Sequence, residues 1–167
     1  MKFSTRKIAY LGLCTTVALV FAYVETLLPP LFAAVPGIKI GLPNIAIIFT
    51  LYKFGLKEAS SVSLIRMVLV AAMFGNPMTF AYSLAGATLS MIVMALLKKT
   101  DLLSSVAVSV AGGVFHNVGQ ILLAAIILET AEIGYYIIVL AITGIISGVF
   151  VGICGSLAVN RISLKLP

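Results

Sequence analysis

The sequence predicts an all-α membrane protein: one domain over residues 1–167, built as a bundle of six transmembrane helices with both termini cytoplasmic. Three observations predict it. Hydrophobic residues make up 62% of the chain and charged residues 10%, with a mean hydropathy of +1.22; a soluble domain is roughly 45–50% apolar and about 25% charged. Apolar runs recur at the length a spanning helix needs, without the alternation of a membrane β-strand. Nine of the eleven Lys and Arg residues fall at alternate ends of those runs, as the positive-inside rule requires of short cytoplasmic loops.

The elements follow in order. Lys2, Arg6 and Lys7 make a basic start. Ile8–Leu28 is the first span; it is longer than a signal-peptide core and carries Glu25 near its end, which predicts a retained helix. Pro29–Gly41 is a loop rich in Pro and Gly. Leu42–Tyr52 is a short second span ending before Lys53, and Ala59–Phe74 is a third, closed by Gly75-Asn76-Pro77. Met78–Leu97 is the fourth, before Lys98-Lys99; Leu102–Leu128 and Ile133–Val159 are the fifth and sixth, with Arg161 and Lys165 after them. On this topology Lys39 is the only basic residue outside, and Arg66 lies within a span. The net charge of +6 is therefore a record of topology and implies no nucleic-acid partner.

Small residues set the packing. Gly144, Gly148, Gly152 and Ser156 recur every four residues along the sixth span, a smooth ridge that predicts close helix packing inside the bundle. Cys14, Ala18 and Ala22 make a similar stripe on the first span. That stripe either packs internally or docks a partner, and the sequence leaves both readings open. Cys14 and Cys154 both fall in apolar runs, as small hydrophobes do.

Polar residues at membrane depth mark the candidate site. Arg66 sits mid-span, where a charge costs about 2.5–3.5 kcal/mol even on the lenient scale, so it faces an interior or a cavity. A structural partner such as Glu25 and a functional ligand explain it equally well. The fifth span carries Gly113, His116, Asn117 and Gln120 on one stripe, a pattern that predicts a polar cavity. Tyr82 and Ser83 lie near the outer end of the fourth span, with Gly86 a turn below and Asn76 in the loop before. In Pro36–Asn44, two glycines and two prolines specify a shaped turn; it is either a re-entrant connector or a lid in which Lys39 and Asn44 touch ligand. Lys39, Arg66 and a protonated His116 together favour an anion.

Other chemistry lacks its residues. The sequence holds no Gly-x-x-x-x-Gly-Lys-Ser/Thr phosphate loop. Asp101 is its only aspartate, so it has no paired Asp motif to hold magnesium on a diphosphate. With no nucleophile–base constellation either, no enzymatic activity, metal or cofactor is expected.

These residues carry a resemblance. The Pro36–Asn44 stretch, Arg66 followed by Phe74-Gly75, Ala81-Tyr82-Ser83-Leu84-Ala85-Gly86 and His116-Asn117-Val118-Gly119-Gln120 resemble the Gx transporter family. That family is also labelled heptaprenyl diphosphate synthase component I, and is similar to the S components of energy-coupling-factor transporters. The resemblance implies a six-helix S component in a prokaryotic cell membrane that binds a small molecule from outside beneath a first-loop lid. It implies as partners a membrane coupling subunit and two ATPases, with docking through small residues of the first helix such as Cys14, Ala18 and Ala22. The substrate-binding residues are then expected among Lys39, Asn44, Arg66, Asn76, Tyr82, His116, Asn117 and Gln120. The synthase label implies at most an accessory subunit of isoprenoid or quinone synthesis, because the acidic diphosphate motifs are missing. A ligand-free scaffold for a membrane redox complex is the third reading.

Overall fold

The computed structural model describes residues 5–28, 40–129 and 135–164. These residues form six α-helices and no strand: α1 (Thr5–Leu27), α2 (Asn44–Lys53), α3 (Leu56–Phe74), α4 (Pro77–Lys99), α5 (Ser105–Ile127) and α6 (Ile137–Arg161). Four of them, α1, α4, α5 and α6, are long and apolar enough to cross a membrane. The protein is an α-helical multi-pass membrane protein.

The other two are shorter or more polar than these four. α2 has 10 residues, about 15 Å at 1.5 Å per residue, against a hydrocarbon core of about 30 Å. The chain before it turns instead of extending the helix, since Leu42 and Pro43 form a turn and Pro43 is the cap. α3 has 19 residues but includes Lys57, Glu58 and Arg66, so its composition is more polar than that of the four. The start expected for the sixth span, Ile133, lies outside the described residues.

Local chemistry sets the remaining ends. Gly55 adopts φ +108°, a conformation that L side chains rarely take, and so turns α2 sharply into α3. Asn76 caps α4, its Oδ1 accepting from the Thr79 N–H at 2.8 Å, with Pro77 at the first helical position. Ser104 caps α5 by accepting from the Ala107 N–H at 3.2 Å. Lys98 and Lys99 occupy the last turn of α4, where cations complement the helix dipole.

The bundle is packed in two different ways. Across α5 and α6, backbone meets backbone. A Cβ added at Gly148 would lie 2.6 Å from Val110 Cα, at Gly144 2.9 Å from Val114 Cα, and at Gly152 2.8 Å from Val106 Cα. The predicted glycine ridge is thus an intramolecular antiparallel seam. Gly86 and Gly119 do the same between α4 and α5: a Cβ at Gly119 would meet Ala85 O at 2.7 Å. Around α1, α2 and α3 the contacts are made by side chains. α2 is buried on all sides from Ala46 to Leu51, and the core forms around Ile47, Ile48 and Leu51 with Val62, Met91 and Val108.

Charged groups tie one end of the bundle together. Lys7 on α1 pairs with Glu58 on α3 at 2.5 Å. Lys98 on α4 donates to the Leu51 carbonyl at the end of α2 and lies 4.9 Å above the Tyr52 ring. At the opposite end Tyr23 on α1 meets Phe74 on α3 edge-on at 5.9 Å.

The small-residue stripe of α1 packs inside the bundle, the first of the two readings that the sequence leaves open. Cys14, Ala18 and Ala22 are the buried residues of this helix, 8%, 0% and 6% exposed. They face the bundle interior, because small side chains let α1 lie close over α2 and α3.

Candidate ligand-binding site

The site grows from polar side chains that the helices bring to the middle of the bundle. A cavity of about 30 Å³ lies between α2, α3, α4, α5 and α6, room for about two waters. Its polar lining includes Asn44 from α2, His116 from α5, and one serine from each of four helices: Ser63, Ser90, Ser109 and Ser147. Its apolar lining includes Ile47, Ile48, Met91 and Val151.

Arg66 stands beside this cavity, one turn along α3 from Ser63. Its Nε is buried with no hydrogen-bond partner among the described residues. The guanidinium is close enough to exchange electrostatic interactions with Glu25 on α1 and with His116 on α5. Glu25 itself is engaged: its carboxylate accepts the backbone N–H of Gly41. Gly41 has φ +80° and packs against the Asn44 side chain, so the backbone entering α2, the end of α1 and the charge on α3 are arranged together.

The expected site residues divide into groups. Asn44 and His116 line the cavity, and Arg66 neighbours it. Gln120 packs over Gly86, where an added Cβ would lie 3.0 Å from its Cγ. Asn117 turns toward α6 and donates from Nδ2 to the Leu140 carbonyl at 2.7 Å. Asn76 is exposed and its Oδ1 is taken by the Thr79 N–H and hydroxyl. Tyr82 is half-buried on α4 and is not part of the cavity lining. Lys39 lies outside the described residues. The sequence reading passed over the serines. A register signal existed, since Ser63 is three residues from Arg66 and Ser109 is seven from His116, and both spacings keep one helix face.

A family model described as heptaprenyl diphosphate synthase component I matches residues 14–158. The chain belongs to this family. No curated protein and no solved structure matches it. The match to the heptaprenyl diphosphate synthase component I family spans α2 to α5 entire and most of α1 and α6, so every site residue named above falls within it. What the arrangement offers chemically is recognition: a guanidinium, an imidazole, an amide and several hydroxyls around a small cavity.

Proposed function

We propose that this protein is the substrate-binding, S-component-like membrane subunit of an energy-coupling-factor type importer for a small, anionic, vitamin-like molecule. The observation that carries the reading is Arg66. A guanidinium whose buried Nε has no hydrogen-bond partner among the described residues is costly in an apolar interior, and an acidic ligand beside the cavity supplies that partner. On this reading both termini are cytoplasmic, which puts the Lys7, Lys98 and Arg161 end inside. The chain performs no chemistry of its own and borrows ATP hydrolysis from partner subunits. It meets the coupling subunit through a face of α1 other than Cys14, Ala18 and Ala22.

The family description favours a second reading, an accessory membrane subunit of heptaprenyl diphosphate or quinone synthesis. Purification from native membranes in mild detergent, with identification of co-purifying proteins and bound small molecules, separates the two. A membrane coupling subunit with paired ATPases is the expected result. Recovery of a prenyl synthase without those partners overturns the importer reading.

A further inference from the structure

We propose that Ser63, Ser90 and Ser109 form an uncharged hydrogen-bonding subsite, and that the ligand is a compact acid whose neutral polar group enters it while its charged end meets Arg66. This rests on the importer reading above and adds the chemical class of the substrate.

The argument begins with the hydroxyls. In an apolar helix a Ser or Thr hydroxyl ordinarily bonds back to the carbonyl three or four residues earlier. Thr15 bonds to Leu11 at 2.9 Å, Thr50 to Ala46 at 2.7 Å, Ser61 to Lys57 at 2.9 Å and Thr88 to Leu84 at 2.7 Å. Ser63, Ser90 and Ser109 make no such bond among the described residues, although they are only 5%, 6% and 3% exposed. All three line the one cavity. They come from three helices, so their convergence is a property of the fold and not of one helical repeat.

A hydroxyl offers one donor and two acceptor sites without charge. Three of them facing a cavity with room for about two waters suit an amide, a hydroxyl or the carbonyl edge of a ring. Ile47, Ile48 and Met91 supply an apolar surface in the same cavity, which suits the flat or methylated side of that group. Spacing bounds the ligand. Ser63 is three residues along α3 from Arg66 and Ser109 seven along α5 from His116, a rise of roughly 5–10 Å. The acid and the neutral group are therefore close together. A polyprenyl chain is the wrong complement, since it has no group that can hydrogen-bond to these hydroxyls.

The test uses the full chain in nanodiscs and six probes: nicotinate, pantothenate, biotin, pyridoxal 5′-phosphate, inorganic phosphate and farnesyl diphosphate. Affinities are measured for wild type, Arg66→Met and the double variant Ser90→Ala/Ser109→Ala. Alanine keeps the Ser109 Cβ, which packs against Gly152; Ser63→Ala serves if the double variant does not fold. At least one of the first four probes is expected to bind, to be lost in Arg66→Met, and to weaken at least tenfold in the serine variant. A probe that needs Arg66 but binds the serine variant unchanged overturns the subsite and leaves the importer reading standing. Arg66-dependent binding of farnesyl diphosphate alone, or no Arg66-dependent binding at all, overturns both.

Discussion

Glu25 on α1 and Arg66 on α3 attract one another across the bundle, yet Arg66 forms no ion-pair contact among the described residues, and the Glu25 carboxylate is held by the N–H of Gly41. The arginine is thus partly compensated and incompletely bonded.

A buried charge left in that condition is a stability cost. Arg66→Met is expected to raise the unfolding free energy of the ligand-free protein by about 1–3 kcal/mol, while removing the affinity for acidic ligands. Thermal melts in detergent with and without ligand measure both effects. A variant that melts earlier and still binds would show that Arg66 is a structural ion-pair partner.

Asn117 gives the opposite pattern. Its amide donates to Leu140 on α6, and interhelical bonds of this kind contribute roughly 0.6–1.7 kcal/mol in membranes. Asn117→Ala should lower stability by that amount and change ligand affinity by less than about twofold, an energy under 0.5 kcal/mol. A tenfold affinity loss at unchanged stability would place the amide on the ligand instead.

The α5–α6 seam predicts a third outcome. Gly148→Ala sets a Cβ 2.6 Å from the Val110 backbone, where no side chain can swing away. The helices must separate, at about 1–3 kcal/mol for overpacking of this kind. Gly12→Ala on α1, which meets nothing within 4 Å, is the control and should be close to neutral in the same melts.

At the basic end, the hydrogen bond and charge of Lys7 hold the Glu58 carboxyl below its ordinary range. A depressed carboxyl stabilises the folded state above its unfolded pKa of about 4.3, and the contribution is lost as pH falls through the lower folded value. Melting temperature should therefore fall between pH 5 and pH 3 more steeply in wild type than in Glu58→Gln. Parallel slopes would show that the Lys7–Glu58 pair does not contribute.

Much of this was legible in the sequence, and the illegible parts have physical causes. The glycines of α6 announced close packing because their spacing matches one helix face whatever lies opposite. The brevity of α2 was legible too, but its start was not, since the apolar residues around it read alike as helix or as the turn at Leu42-Pro43. Asn117 and His116 looked alike as candidates. An amide in an apolar helix has the same sequence signature whether it meets a ligand or a neighbouring carbonyl, and only the path of α6 decides. The serines were overlooked because helical hydroxyls usually satisfy themselves, and nothing in a single helix shows which ones face a shared space.

Where backbones touch along Gly86, Gly113, Gly119, Gly144 and Gly148, no atom can be added without parting two helices. α4, α5 and α6 therefore behave as a fixed anvil, whereas α1, α2 and α3 meet through side chains, whose size and polarity can change without a backbone collision. The cavity lies on the boundary between the two halves. Change of ligand preference over evolutionary time would be concentrated on the α2 and α3 walls, around Asn44, Ile47 and Ser63, and the glycine-packed wall would be inherited nearly unaltered.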